Sequence, residues 1–240
     1  MGQSNAARCP IIAAMKTLVI IPAYNEEGSI VDTVNSLIRM VPSVDYVVVN
    51  DGSSDDTKEL CMRNGFNIIS LPINLGLAGG FQTGMKYAFC HNYDAALQFD
   101  GDGQHKPDYI QSLINAMSDA NADIVIGSRF IERKKHFSAR MLGSHLISGL
   151  IKLTTGKTIQ DPTSGMRLYN RRMIEMFANK HDMAPEPDTL AYCLRKGAKA
   201  LEVPVEMQER QTGESYLNAS KSISYMLRIC ISILVLQWFR

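Results

Sequence analysis

The chain has 240 residues, 45% of them hydrophobic and 20% charged, which suffices for a folded core and excludes a disordered chain. Its 25 Lys and Arg against 24 Asp and Glu give a formal net charge of +1, which does not favour a nucleic-acid partner. The five cysteines contain no CxxC pair, which argues against a disulfide framework or a zinc knuckle. We therefore expect a globular protein of the reducing cytoplasm that does not bind nucleic acid.

Strand and helix patterns alternate along the first half of the chain. Short apolar runs are typical of buried parallel strands, and apolar residues three or four positions apart are typical of helices. Such an alternating series predicts a mostly parallel sheet with helices on both faces, whose ligands bind beyond the carboxyl ends of the strands. The predicted strands are 18–21, 46–49, 66–71, 95–99 and 123–126, and the predicted helices are 30–41, 55–63, 78–91 and 107–120.

The alternation breaks after residue 129. A basic stretch at 133–140 precedes a predicted amphipathic helix at 141–153, whose leucines fall on one side. This arrangement places cations beside an apolar surface, although a solvated loop before a core helix gives the same pattern. Further on, helices are predicted at 171–178 and 188–196 and a strand at 200–205, and the apolar run at 229–239 is shorter than the about 20 residues that span a bilayer.

Polar side chains follow three of the predicted strands. The first strand runs into PAYNEE at 22–27 and the second into NDGSSDDT at 50–57. Asp51 is placed to accept a hydrogen bond from a ribose hydroxyl or a base edge. The alternative is that Asn25 caps one helix and that Ser54 or Asp55 caps the next.

The fourth predicted strand ends in DGDGQH at 100–105. Carboxylates at positions i and i+2, Asp100 and Asp102, suit a hard divalent cation and leave coordination positions for water and substrate phosphates. The alternative is a turn stabilised by Asp and Gly. The placement after a buried strand, with two other polar strand ends, favours the metal site.

Other nucleotide-binding motifs are absent from the sequence. No GxGxxG follows the first strand and no GxxxxGK[ST] occurs, which argues against a dehydrogenase and a P-loop NTPase. The glycines at 76, 79, 80 and 84 indicate a helix start with close backbone approach rather than a phosphate loop.

Five motifs, in order, resemble those of the family 2 glycosyltransferases with a GT-A fold: PAYNEE at 22–27, NDGSSD at 50–55, NLG at 74–76, DGDGQH at 100–105 and GSR at 127–129. Three later features, Gln-His at 104–105, Ser-Gly at 164–165 and RQTGES at 210–215, are similar to the dolichyl- and polyprenyl-phosphate sugar synthases. The resemblance implies a Rossmann-like α/β domain over 16–220. Because Met15 directly precedes the first predicted strand, residues 1–15 are expected to be a leader or an added segment, and 221–240 an apolar C-terminal helix at a membrane or an interface.

The resemblance also implies a role for individual residues. Asn50 stands where relatives often have a first acid, so only the second acid, Asp51, carries over. Mg²⁺ or Mn²⁺ is the implied cofactor, and it would sit on the diphosphate of the donor. The implied nucleotide ligands are Pro22, Tyr24, Glu26, Asp51 and Gly76, the implied metal ligands are Asp100, Asp102 and Gln104, and the implied phosphate-neutralising residues are Arg129 and Arg210.

The implied reaction is inverting transfer of a sugar from a nucleotide-sugar, UDP favoured over GDP, to polyprenyl phosphate for cell-envelope or glycan assembly. A lipid phosphate is already a dianion near neutrality and needs no general base. The alternative acceptor, a hydroxyl of a lipid-linked saccharide, needs a base, for which Glu186 and Asp188 are the candidates; acids at a helix N-terminus are the other explanation for both.

The expected location is the inner face of the membrane, with the protein peripheral and cytoplasmic. Trp238 and Phe239 suit the headgroup level of a bilayer, and Arg240 can reach anionic lipid. The alternative for the C-terminal segment is an interface with a second copy of the chain or a small membrane partner.

Overall fold

A mixed sheet of seven strands forms the centre of the described part of the protein. The computed structural model describes residues 15–131, 139–180, 183–207 and 219–235, with only the backbone described at 139–142 and 219–223. The strands are β1 Thr17–Ala23, β2 Asp45–Asn50, β3 Ile68–Ser70, β4 Ala95–Gln98, β5 Ile124–Ser128, β6 Arg167–Asn170 and β7 Ala200–Pro204. The helices are α1 Ile30–Met40, α2 Thr57–Arg63, α3 Gly76–Cys90, α4 Ile110–Ala120, α5 Ala139–Thr155, α6 Arg171–Asn179, α7 Pro187–Arg195 and α8 Ala219–Leu234, with a 3-10 turn at Pro107–Tyr109.

The strand order is β3-β2-β1-β4-β6-β5-β7. The pairs β1–β2, β1–β4, β2–β3 and β5–β7 are parallel, whereas β6 runs antiparallel to both neighbours. The prediction of a mostly parallel α/β sheet with helices on both faces is confirmed. The parallel neighbours β2, β1 and β4 bring their carboxyl ends together at one edge of the sheet.

Strand β6 is absent from the sequence prediction. Its first residue, Arg167, is buried, which a pattern of apolar residues does not anticipate. Its guanidinium donates hydrogen bonds to the carbonyls of Ser164 at 2.8 Å and Pro162 at 2.6 Å. These bonds satisfy the buried cation, and they fix the 162–167 turn against the sheet.

Two apolar layers cover the two faces of the sheet. In β1, Leu18 and Ile20 pack into one layer and Val19 and Ile21 into the other, as the period-two geometry of a strand requires. Helices α3 and α5–α8 contribute to the first layer, and α1, α2 and α4 to the second. This double burial explains the continuous apolar run that predicts the strand.

Helix α3 lies unusually close to β1. A Cβ atom on Gly84 would be 2.3 Å from Cγ2 of Ile20, so only glycine fits there. A Cβ atom on Gly80 would lie 3.7 Å from Pro22 and 3.9 Å from Asp51. The predicted close approach is confirmed for Gly84, whereas a Cβ atom on Gly76 would meet nothing within 4 Å. The contacts of Gly80 place the start of α3 beside the ends of β1 and β2.

Helices α5 and α8 pack on each other and on α7. Ile147 and Ile151 form the buried side of α5, while Leu146 and Leu153 of the predicted leucine side are exposed. Helix α8 buries Ile229 and Ile233 in the same way. Its opposite side exposes a stripe of apolar residues at helical spacing, Leu227, Ile231 and Leu234. No described helix combines the length and the hydropathy that a membrane span requires.

Candidate active site

A cleft of about 630 Å³ lies at the carboxyl ends of β1, β2 and β4. Three strand-end loops and the first turns of α3 form its walls. The structure thus brings together all five predicted nucleotide ligands and both predicted acidic metal ligands. The lining residues are Pro22, Ala23, Tyr24, Glu26, Asp51, Asn74, Gly76, Leu77, Gly80, Asp100, Gly101 and Asp102.

Asn25 joins the loop after β1 to the loop after β2. Its backbone is left-handed, with φ 56°, a conformation that Asn tolerates better than most residues. Its Oδ1 accepts a hydrogen bond from the N–H of Ser54 at 2.9 Å, and its own N–H donates to Oγ of Ser53 at 3.0 Å. The N-cap residue of α1 is Ser29, so the alternative in which Asn25 caps this helix is wrong.

Asp51 is held at the cleft from two sides. Its N–H donates to the carbonyl of Ala23, and its Oδ1 accepts from the N–H of Leu75, both at 2.8 Å. The adjacent Gly52 has φ +66°, and a Cβ atom there would be 2.6 Å from the carbonyl carbon of Ile73. This close approach brings the segment before α3 against the carboxylate and fixes its direction.

The N-cap residue of α2 is Asp56, so the alternative in which Ser54 or Asp55 is the cap is wrong, and Asp55 supports the start of this helix from the position before the cap. Its Oδ1 accepts a hydrogen bond from the N–H of Thr57, the first residue of α2, at 3.0 Å. Its Oδ2 accepts from the N–H of Glu27 at 3.1 Å, which adds a second tie to the first loop. Asp51 and Asp55 therefore have different functions within one loop.

The loop after β4 forms a turn, and it also lines the cleft. Oδ1 of Asp102 accepts from the N–H of Gln104 at 3.1 Å, and Gly103 has φ +76°, as the turn interpretation expects. Oγ of Ser29 donates to the carbonyl of Gly101 at 2.9 Å, which secures the loop to the start of α1. Gln104 is not among the described residues that line the cleft, so its role as a ligand stays a prediction.

The acidic pair fits a divalent cation that is shared with substrate. Within the described ranges, no group of three or more His, Cys, Asp and Glu forms a complete metal site. Mg²⁺ commonly takes one or two carboxylates and completes its shell with water and substrate phosphates. Asp100 and Asp102 in an open cleft match that pattern, and they do not match a closed structural site.

Arg129 lies at the end of β5, where it forms an ion pair with a fully buried aspartate. Its Nε and Nη2 donate to the two carboxylate oxygens of Asp161, each at 2.7 Å, and its N–H donates to the same carboxylate at 3.1 Å. Asp161 therefore balances the positive charge of Arg129, to which the family resemblance gives a phosphate-neutralising role. Arg129 is not among the described residues that line the cleft. Arg210 lies outside the described residues, as does the basic stretch Arg133, Lys134 and Lys135.

Glu186 and Asp188, the candidate general bases, lie against α8 rather than in the cleft wall that the described residues form. Nη2 of Arg228 donates to Oε1 of Glu186 at 3.0 Å, and Oγ of Ser232 donates to Oδ2 of Asp188 at 2.6 Å. Burial raises the pKa of Glu186 above its usual value, and the charge of Arg228 opposes this rise. Both acids thus connect α7 to the C-terminal helix.

Sequence reasoning missed the partners that hold the site residues. Asp161 is 32 residues from Arg129, and no local pattern connects two residues at such a separation. Nδ1 of His105 accepts a hydrogen bond from the N–H of Asp100 at 2.9 Å, a contact that the sequence does not predict. Gly165 packs directly against the same aspartate.

Three curated relatives are similar to most of this chain. Polyprenol monophosphomannose synthase of Mycolicibacterium smegmatis is 28% identical over 232 residues, which cover 89% of this chain and 85% of the relative. Undecaprenyl-phosphate mannosyltransferase of Micrococcus luteus is 30% identical, with 85% and 88% covered. Undecaprenyl-phosphate 4-deoxy-4-formamido-L-arabinose transferase of Edwardsiella ictaluri is also 30% identical, with 87% and 65% covered. The resemblance to the polyprenyl-phosphate sugar synthases is confirmed.

Two solved structures share the fold. Glucosyl-3-phosphoglycerate synthase from Mycobacterium tuberculosis, in complex with Mn²⁺, UDP and phosphoglyceric acid, has a TM-score of 0.70 at 17% identity and covers 94% of this chain and 79% of its own. A mannosyltransferase from Pyrobaculum calidifontis, in complex with GDP-Man and Mn²⁺, has a TM-score of 0.61 at 18% identity, with 84% and 58% covered. These likenesses confirm the GT-A fold.

The family model described as glycosyl transferase family 2 matches residues 18–177, more than half of the sequence. The matched range begins in β1, contains the three strand-end loops of the cleft and ends in α6. Motifs, fold and family model agree, and the chain belongs to glycosyl transferase family 2.

Proposed function

We propose that this protein is an inverting glycosyltransferase that moves a sugar from a nucleotide-sugar to polyprenyl phosphate at the inner face of the membrane. The observation that carries the proposal is that one cleft is lined both by Asp51, from one strand end, and by Asp100 and Asp102, from another. The names of the three relatives support the acceptor, since each contains a polyprenol or undecaprenyl phosphate.

The donor nucleotide would bind at the ends of β1 and β2. Pro22, Tyr24, Glu26 and Gly76 surround the cleft beside Asp51, whose carboxylate is held by the N–H of Leu75. A carboxylate fixed in this way accepts hydrogen bonds from ribose or base without a cost of ordering its side chain. UDP is favoured over GDP on the sequence, and the assay below includes both.

Asp100 and Asp102 would hold Mg²⁺ or Mn²⁺, with Gln104 as the third predicted ligand. When bound, the cation acts as a Lewis acid on the leaving diphosphate. The residues of the chain provide the negative charge and hold the loop rigid. Ser29 and Thr33 secure it from α1, through hydrogen bonds to the carbonyl of Gly101.

The acceptor would attack the anomeric carbon through a phosphate oxygen. A phosphate monoester has a second pKa of about 6, so it is already deprotonated near neutral pH and no general base is required. The contacts of Glu186 with Arg228 and of Asp188 with Ser232 support this choice, because they give both acids a structural partner. Arg210 would neutralise phosphate charge; the same proposed role for Arg129 competes with its pairing to Asp161.

Replacing Asp51 by Ala is expected to weaken nucleotide binding by about 10- to 100-fold, or about 1.5–3 kcal/mol for a lost charge-assisted hydrogen bond. Isothermal titration calorimetry with UDP and with GDP measures the change. Asp119→Ala, which removes an exposed carboxylate on α4, is the matched control and should bind as the unaltered protein does. If Asp51→Ala binds both UDP and GDP as tightly as the unaltered protein does, Asp51 is not a nucleotide ligand.

The exposed apolar stripe of α8 supports a membrane-surface position. Leu227, Ile231 and Leu234 lie on its solvent side, and Leu146 and Leu153 are exposed on the neighbouring α5. Apolar helix faces beside basic residues are typical of proteins that lie on a bilayer. A polyprenyl chain is itself held in the bilayer, so the enzyme has to reach its acceptor there.

Replacing Leu227, Ile231 and Leu234 together by Gln is expected to lower binding to phosphatidylglycerol vesicles by at least about tenfold, because each side chain would bury apolar area in the lipid. Vesicle flotation measures the bound fraction. Met62→Gln, which removes an exposed apolar side chain from α2 on the opposite face of the sheet, is the control. Unchanged flotation of the triple variant would exclude the α8 stripe as the membrane contact.

The proposed reaction is tested by incubating the protein with undecaprenyl phosphate and a panel of radiolabelled UDP- and GDP-sugars in the presence of Mg²⁺ or Mn²⁺. We expect one donor to give a labelled product that partitions into organic solvent. Release of free sugar from every donor, with no labelled lipid, would contradict the proposal.

A further inference from the structure

His105 has an environment that its position in a surface loop does not predict. Its side chain is buried, with 2% of its surface exposed, while 32% of the Asp100 side chain remains exposed. The imidazole packs edge-on against Phe99, with ring centroids 5.4 Å apart. This packing fixes the plane of the ring, so its two nitrogens have defined directions.

The two ring nitrogens of His105 both face Asp100. Nδ1 accepts a hydrogen bond from the backbone N–H of Asp100 at 2.9 Å, so the proton of the neutral ring lies on Nε2. Nε2 is 3.6 Å from Oδ2 of Asp100. One side chain therefore holds the main chain of the aspartate by a hydrogen bond and lies beside its carboxylate.

Two further residues restrict the position of the Asp100 carboxylate. Nε2 of Gln98, buried on β4, donates to Oδ1 at 3.3 Å. On the other side, a Cβ atom on Gly165 would be 2.8 Å from Oδ2 and 3.4 Å from the His105 ring. Gly165 precedes β6, whose antiparallel pairing with β4 sets its position. Because Gly165 has no side chain, the Asp100 carboxylate fits in this position without a steric clash.

We propose that His105 is a positioning residue that orients Asp100 for the divalent cation, and that Gly165 keeps the space this orientation needs. The inference rests on the proposed metal site. Outer groups that hold a metal-binding residue fix its direction, and their loss typically lowers metal affinity by about 10- to 100-fold. His105 acts through Asp100 and does not have to reach the cation.

The test is a Mn²⁺ titration in which electron paramagnetic resonance counts free Mn²⁺, with Mn²⁺ alone and with UDP or GDP added. We expect His105→Ala to raise the dissociation constant by about 10- to 100-fold. His105→Asn keeps an acceptor near the position of Nδ1 and is expected to restore part of the affinity. Gly165→Ala is expected to weaken binding as well, whereas Gly149→Ala, on α5 with open space around its Cβ, should not.

The variant Asp102→Asn distinguishes a failure of the proposed metal site from a failure of the positioning role of His105. Loss of Mn²⁺ binding in Asp102→Asn, with unaltered affinity in His105→Ala, would overturn the positioning role and leave the metal site in place. Unaltered affinity in Asp102→Asn, or no Mn²⁺ binding by the unaltered protein, would overturn both. If circular dichroism shows that His105→Ala does not fold, the comparison of Gly165→Ala with Gly149→Ala decides the question in the same way.

Discussion

Asp102→Asn is expected to lower turnover by about 100-fold or more while the protein remains folded. Asparagine has nearly the same shape, and its Oδ1 can still accept the hydrogen bond from the N–H of Gln104 that forms the turn. What it lacks is the negative charge that a hard divalent cation requires. Asp100→Asn should have an effect of the same order, because its carboxylate lies in the same cleft.

Initial rates measured against the concentration of Mg²⁺ or Mn²⁺, and again in EDTA, check this expectation. Asp119→Asn on α4 is the control and should keep the full rate at every metal concentration. Thermal unfolding monitored by circular dichroism verifies that each variant is folded. A variant Asp102→Asn with the full rate in EDTA would rule out metal-assisted departure of the diphosphate.

The second large effect concerns stability. Asp161→Ala is expected to lower the free energy of unfolding by about 3 kcal/mol, because it removes the partner of Arg129 from a fully buried position. The carboxylate also accepts from the hydroxyl of Thr163, so several donors lose their acceptor together. Since part of the Arg129 side chain is exposed and can hydrate, we place the loss at the lower end for a broken buried pair.

Urea unfolding of Asp161→Ala, Arg129→Ala and the double variant measures the coupling between the two residues. The double variant should lose less than the sum of the single losses, because each single change already breaks the pair. Asp119→Ala serves as the exposed-carboxylate control, with a change within about 0.5 kcal/mol. If Asp161→Ala lowers the free energy of unfolding by no more than about 0.5 kcal/mol, the Arg129–Asp161 pair does not stabilise the end of β5.

The cleft could be predicted from the sequence because its parts lie directly after strands. Apolar runs locate the strands, polar residues locate the ends, and parallel pairing collects those ends at one edge of the sheet. Asp51 and Asp100 could be placed together on that basis, although 49 positions separate them. The close approach at Gly84 was predictable for a different reason, since such an approach requires a residue without a side chain.

The partners of the site residues could not be predicted. Only tertiary structure brings Arg129 and Asp161 together, so the ion pair that competes with phosphate for Arg129 is not visible in the sequence. The contacts of Glu186 and Asp188 with α8 are likewise not visible there. On α5 the sequence shows two apolar sides, and the packing of the helix selects the isoleucines for the core and leaves leucines exposed.

The atom that attacks the sugar decides whether the reaction needs a general base. If a lipid phosphate is the nucleophile, the chain has to supply cations and a shielded diphosphate site, and no general base is needed. If a hydroxyl is the nucleophile, Glu186 or Asp188 has to be released from Arg228 or Ser232 to accept its proton. The two reactions therefore need different acceptors and different residues.

The most direct test compares three acceptors with the same labelled donor: polyprenyl phosphate, the corresponding free polyprenol, and a polyprenyl-linked saccharide. We expect a labelled lipid only with polyprenyl phosphate, and we expect Glu186→Gln to retain most of the rate because no base is required. Transfer to the saccharide but not to polyprenyl phosphate, abolished in Glu186→Gln or Asp188→Asn, would contradict this expectation.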